Sequence, residues 1–367
     1  PDLFRATRCW WEVQPASIGG DRRWVWYAKG GEFKRFAHDI HLVVDYHGAI
    51  VGSCPFRRPG DAALYFRSGI TYSQRTTRPI SFRVLPAGCL TSPKGPAILP
   101  REHTNVLTLM GLANSRVLAA LVNSRVGAAG AAARSYDLDI LRRTPAPAPA
   151  AHFCEATRAL VLELLKVCIR DNQRDETSPD FLADCDTGLG SDGLRELHRV
   201  LSSEIESAQT VYDAARKEIE QLVLEACGVR NVGDQISQNE PAFAVLSEQE
   251  LVSYVLSNYL GAIYGRWDIR IVLDPALAPK LPDPFDPLPV CPPGMLVGPD
   301  GLPAEPNRIV SEEWLRARPD ANTLPPDSSA KNPTIPDSEY PLRISWDGIM
   351  VDDPGFNGDR PHRDDIV

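Results

Sequence analysis

Between Leu194 and Ala226 the apolar residues recur in steps of three and four: Leu194, Leu197, Leu201, Ile205, Ala208, Tyr212, Ala215, Ile219, Leu222 and Ala226. This is close to a heptad with one irregularity. It predicts a helix over about 192–227, closed at Cys227-Gly228 because glycine takes a left-handed C-cap cheaply. A helix of that length extends about 50 Å at 1.5 Å per residue. It either packs along its own domain or forms an antiparallel helical spacer, and the remaining segments have to be arranged along it.

Residues 1–100 hold short apolar stretches, such as Trp24-Val25-Trp26-Tyr27 and Leu42-Val43-Val44, punctuated by Gly30-Gly31, Gly48, Pro55, Gly60, Pro86, Gly88 and Gly95. That pattern predicts a β-rich region. Residues 104–127 carry a helical stripe of Val106, Leu109, Met110, Leu112, Val117, Leu118, Leu121 and Val122. A strand or loop is expected over 135–141, running into Thr144-Pro145-Ala146-Pro147-Ala148-Pro149, a stiff extended break. Further helices are expected over 152–170 and 247–263, with a polar loop over 171–192. Beyond 271, prolines at 275, 279, 282, 284, 287, 289, 292 and 293 predict an extended strap. The expected fold is α+β: a mixed-sheet domain over 1–147, a helical spacer over 151–230, a small helical element over 231–270 and a Pro-rich strap over 271–367.

Charge divides the chain unevenly. Residues 1–150 hold 20 Lys and Arg against 10 Asp and Glu, whereas the remainder holds 19 against 38, so a +10 segment precedes a −19 segment within an overall −9. Such asymmetry suits a polyanionic partner for the first segment, or a basic surface with none. No apolar run reaches the ~18–20 residues of a membrane span. The start, with Asp2, Arg5 and Arg8, lacks a signal-peptide pattern. Cysteines 9, 54, 89, 154, 168, 185, 227 and 291 show no C-x-x-C spacing, so no metal site is expected. Free thiols fit a reducing cytoplasm, where this chain is expected to reside. A first residue of Pro1 and an end at Val367 suggest a piece of a longer product.

No Gly-rich cofactor turn after a strand, no N-P-P-[YF] tetrapeptide and no G-x-x-x-x-G-K-[ST] loop occurs. No catalytic residue and no bound cofactor are therefore expected in this chain. Three other stretches carry information. In Trp26-Tyr27-Ala28-Lys29-Gly30-Gly31-Glu32-Phe33-Lys34-Arg35-Phe36, two glycines let backbone N–H groups approach an oxyanion, with Lys29, Lys34 and Arg35 alongside. A hairpin turn with solvated charges has the same composition. In 65–83, Arg67, Thr71, Ser73, Gln74, Arg75, Arg78 and Arg83 are side chains that suit base edges or phosphates. An ordinary strand with a polar face also fits. Leu107-Thr108-Leu109-Met110-Gly111-Leu112-Ala113-Asn114-Ser115 reads as a helix, and Asp139-Ile140-Leu141-Arg142-Arg143-Thr144-Pro145 as a short strand ending at prolines.

The order K-G-G-x-x-[KR]-R, G-I-T-[YW]-S, S-F-R, L-x-G-L-x-N-S and D-I-x-x-x-P resembles the target-recognition region of large adenine-specific DNA methyltransferases. These are the single-chain restriction–modification enzymes and the PglX-type methyltransferases of BREX phage defence. Asp175-Glu176-Thr177-Ser178-Pro179-Asp180-Phe181 resembles the family's E-T-S-x-D-F segment. Ser253-Tyr254 with Gly265-Arg266-Trp267-Asp268, the proline strap from Asp283 to Leu296, and Ile349-Met350-Val351-Asp352-Asp353 resemble later segments.

The resemblance implies DNA target recognition through Lys29, Gly30, Gly31, Lys34, Arg35, Arg67, Thr71, Ser73, Gln74, Arg75, Arg78 and Arg83. It implies double-stranded DNA, the parent's own methyltransferase domain and other defence-system subunits as partners, with no membrane. S-adenosylmethionine would be bound by a catalytic domain outside this chain. Two other readings remain: a type I-like specificity module that docks onto separate methyltransferase subunits, and an interaction scaffold without DNA.

Overall fold

The computed structural model describes residues 6–13, 17–31, 33–46, 64–100, 106–126, 133–145, 151–182, 193–230, 232, 242–263, 281 and 283–289. The fold is α+β. Strands β1 (Thr7–Cys9), β2 (Trp24–Ala28), β3 (Leu42–Asp45) and β7 (Cys89–Thr91) form a sheet in the order β1-β3-β2-β7. Its β2–β7 pair is parallel and its other pairs antiparallel, so the sheet is mixed, as expected. Strands β4 (Gly69–Tyr72), β6 (Phe82–Leu85) and β8 (Ala97–Ile98) form an antiparallel sheet in the order β6-β4-β8. Strands β5 (Arg75–Thr76) and β9 (Arg134–Ser135) pair as a separate two-stranded ribbon.

The helices are α1 (Val106–Ala113), α2 (Arg116–Asn123), α3 (Leu138–Arg142), α4 (Ala151–Asn172), α5 (Gly193–Cys227) and α6 (Glu248–Ile263). Helix α5 runs as the apolar spacing predicts, and Gly228 at φ 64 ends it. The Val229 N–H donates to Leu224 O and the Gly228 N–H to Glu225 O, the paired bonds of a left-handed cap. Thr157 and Val161 near the start of α4 lie by Ile219 near the end of α5, all around Gly111. Arg174, just past α4, reaches Glu204 near the start of α5 at 2.8 Å, so the two helices run antiparallel.

Two expectations are corrected. The single helix over 104–127 is a bent pair, α1 and α2, at 65°. At the break, the Asn114 side chain leaves the helix to bond β6, and Ser115, at ψ 154, caps α2 by accepting from the Leu118 N–H. The second is the stretch around Asp139-Ile140, where α3 stands instead of a strand. Residues 127–132, 264–280 and 290–367 lie outside the described residues, and with them most of the expected strap.

Apolar burial joins the elements into two main cores. One gathers Tyr72, Phe82 and Val84 of the β4 sheet, Met110 and Val122 of α1 and α2, Leu164 of α4 and Ile205, Ile219 and Val223 of α5. The other gathers Trp26 and Val43 of the four-stranded sheet and Trp10 just after β1 with Leu251, Tyr254 and Val255 of α6 and Leu288 of the proline segment. Leu197 and Leu201 on α5 pack against this second core, so the long helix spans both. Among the described residues no single helix is long and apolar enough to cross a membrane. The α1–α2 pair has the length and composition, but Met110, Ala113, Val117 and Val122 are buried in the first core.

The segment from Asp175 to Phe181 fastens these parts together. The Trp10 Nε1–H donates to Thr177 O at 2.8 Å, the Ser257 hydroxyl of α6 bonds the Glu176 carboxylate, and Phe181 enters the second core.

Candidate nucleic-acid interface

The Lys29–Phe36 turn is shaped by its neighbours. Gly30, at φ 100, would place a Cβ 2.9 Å from the Lys94 carbonyl oxygen, and Gly31 would place one against the Asp39 carboxylate. Only glycine lets this turn pass so close to the 92–95 turn and to Asp39. Phe36, at φ 66, is a buried non-glycine residue in the left-handed region, at a cost of about 1–2 kcal/mol. Backbone bonds hold it there: the Phe36 N–H donates to Phe82 O at 2.9 Å and the Val84 N–H to Phe36 O at 2.7 Å. The reversal turns Lys34 and Arg35 toward the helices.

Lys34 donates to the Asn172 side-chain oxygen at the end of α4. Asn172 in turn donates to Asp180 at 3.3 Å, and His38 Nε2 lies 2.7 Å from the same Asp180 oxygen. Burial disfavours the Asp180 anion, but the His38 charge and hydrogen bond, with Asn172 and Lys34, outweigh it and hold the carboxyl below the ordinary aspartate range. A depressed pKa contributes stability that is present above the unfolded value and lost as pH falls through the folded one. Asp180→Asn is therefore expected to flatten the acid limb of the stability curve below about pH 4 and to cost about 1–3 kcal/mol at neutral pH. Thermal unfolding between pH 2 and 7 checks this; an unchanged acid limb would contradict it.

The twelve residues singled out by sequence separate into three groups. Thr71, Ser73, Gln74 and Arg83 make internal bonds. The Thr71 hydroxyl donates to Pro96 O at 3.0 Å and the Ser73 hydroxyl to Gly31 O at 2.9 Å. Arg83 is 2 % exposed and donates to Asp39 at 3.2 Å and to Ser73 at 3.0 Å. Gln74 donates to Asp137 at 2.9 Å and accepts from Lys94 at 3.3 Å. Lys29 and Arg67 are half-buried and do not line the cavity that the third group shares, with Arg67 donating to Pro100 O at 3.3 Å.

The third group converges. Gly31, Lys34, Arg35, Arg75 and Arg78 line one open cavity of about 570 Å³, with Gly30 at its edge in sequence. Arg75 and Arg78 are exposed, and the ribbon that carries Arg75 pairs Thr76 with Arg134. The other wall comes from the helices, through Cys168, Asp171, Tyr212 and Arg216, and from Phe243. Arg35 stacks on Phe33 at 4.6 Å and Arg216 over Tyr212 at 5.5 Å, while Tyr212 meets Phe243 edge-on at 5.4 Å. Burial and the adjacent Arg216 charge lower Arg35 to about 10, which leaves it cationic at neutral pH.

Arg134 and Arg216 are absent from the sequence-derived set. Arg216 carried a faint signal, since it follows Ala215 on the buried stripe and lies four residues after Tyr212. Arg134 carried none, because its place opposite Thr76 depends on a long-range pairing.

No family model matches this chain. It is similar to the adenine-specific methyltransferase PglX of Lacticaseibacillus casei (strain Zhang), 29% identical over 126 residues, which cover 29% of this chain and 10% of that protein. The matched stretch thus spans about a tenth of the relative's length. Part of this chain is distantly related to a region of an adenine-specific methyltransferase.

Proposed function

We propose that this chain selects DNA target sites for an adenine-specific DNA methyltransferase of a restriction–modification or phage-defence system. In this reading, S-adenosylmethionine and the adenine are held by a methyltransferase domain outside this chain. The observation that carries the proposal is the exposed β5–β9 ribbon, which sets Arg75 and Arg134 on adjacent strands with Arg78 close by. A two-stranded ribbon fits the major groove of B-DNA, and Arg bidentate to guanine is the commonest specific contact there. The +10 charge of residues 1–150 and the distant relation to a methyltransferase point the same way. Lys34 and Arg35, set back from the ribbon, are suited to phosphates rather than bases.

Fluorescence anisotropy of the 367-residue chain on labelled duplex tests this. Affinity should fall steeply with salt, with a slope of about −0.9 per phosphate neutralised. Arg75→Ala should cost roughly 1–3 kcal/mol on the methylated sequence and little on random duplex. Binding that ignores both salt and Arg75 would favour a scaffold without a DNA role.

A further inference from the structure

We propose that the cavity between the β5–β9 ribbon and helix α5 is a phosphate-ester site, completed by Arg216 from the helical part of the chain. This deepens the DNA-binding reading by giving α5 a direct share in the grip. Five cationic side chains, Lys34, Arg35, Arg75, Arg78 and Arg216, line the cavity, and Asp171 supplies the one carboxylate among the described lining residues. They come from three separated chain segments, so the concentration of charge is not a run of neighbours along one solvated surface. The volume, about 570 Å³, is ample for a phosphate with its attached sugar.

Burial makes the arrangement costly without an anion. Arg35 is 8 % exposed, and its Nε has no hydrogen-bond partner among the described residues. The Arg216 charge also disfavours the Arg35 cation while the Tyr212 hydroxyl and Glu220 favour it, and burial, the largest effect, leaves Arg35 lowered. Burial also pushes the Asp171 carboxyl up, against the pull of Lys34 and Arg174. A phosphate would relieve the repulsion and accept from the forked guanidinium donors, whose geometry matches its oxygens. Arg75 and Arg78 stand exposed at the rim, where such a group would enter.

The phosphate can belong to the DNA backbone or to a free nucleotide. Calorimetric titration of the full chain with pyrophosphate should show saturable one-to-one binding. Arg216→Gln should weaken it about tenfold or more, the loss of a charge-assisted bond, and Arg216→Lys should recover part of the affinity. If Arg216→Gln does not fold, the exposed Arg78→Gln takes its place with the same expected loss. Pyrophosphate that displaces bound duplex identifies the backbone phosphate as the source. Adenosine triphosphate that binds without displacing duplex identifies a free nucleotide. Absence of pyrophosphate binding, or equal binding by both variants, overturns the site. Arg75-dependent duplex binding in that case leaves the target-recognition reading intact and removes only the cavity.

Discussion

Replacing Asn114 with Ala is expected to cost about 2–4 kcal/mol of folding stability, although the residue is remote from any exposed surface. Asn114 is 6 % exposed, and its amide bonds the edge of β6 as a neighbouring strand would: its Oδ1 accepts from the Phe82 N–H at 3.0 Å and its Nδ2 donates to Phe82 O at 3.0 Å. The same Nδ2 donates to Met110 O at 3.2 Å, inside the last turn of α1. Truncation leaves the Phe82 N–H buried without its acceptor, and such an orphan costs about 1–3 kcal/mol before any cavity is counted. Phe82 O keeps the Phe36 N–H, which limits the loss. Urea unfolding followed by tryptophan fluorescence measures the difference. A loss under about 0.5 kcal/mol, the range of ordinary surface changes, would mean that the strand relaxes onto another acceptor.

Gly30→Ala should have a comparable effect, about 2–4 kcal/mol, for a different reason. A side chain at φ 100 is strained, and the added Cβ would lie 2.9 Å from the Lys94 carbonyl oxygen, which is backbone and has no freedom to swing aside. Gly95 answers from the other side, where a Cβ would meet the Gly30 nitrogen at 2.5 Å. The two turns therefore touch backbone to backbone. Chemical denaturation gives the stability change, and anisotropy on duplex under conditions where the variant is folded separates the two roles of the turn. If affinity per folded molecule is kept, Gly30 serves close packing. If affinity falls while stability holds, the N–H groups of the turn contact phosphate directly.

The L-x-G-L-x-N-S motif is accounted for by these contacts. Gly111 lets α1 approach α4 so closely that a Cβ there would sit 2.4 Å from the Thr157 methyl carbon. Asn114 docks the helix end on β6. Ser115 caps α2, whose first N–H, that of Arg116, donates to Glu220 of α5 at 2.8 Å. A motif that resembles a recognition region thus holds the sheet to the helices, behind the ribbon that faces solvent.

Local pattern by itself determined the three longer helices, α4, α5 and α6. The spacing from Leu194 to Ala226 placed α5 within a residue or so of Gly193–Cys227, and Cys227-Gly228 marked its end, because helical periodicity and glycine's left-handed backbone depend only on near neighbours. The α+β class and the concentration of positive charge in the first 150 residues were legible for the same reason. Tertiary structure decided which cations are available. Thr71, Ser73, Gln74 and Arg83 are polar side chains of the same stretch as Arg75 and Arg78, yet the first four bond to other parts of the chain and the last two face solvent. That outcome depends on Pro96, Gly31, Asp137 and Asp39, which periodicity does not relate to them. The bend at Asn114 depends on β6, the exposed ribbon on the pairing of Thr76 with Arg134, and the cationic cavity on α5 bringing Arg216 to Arg35. Each joins residues distant in sequence, and no local pattern encodes a partner at that range.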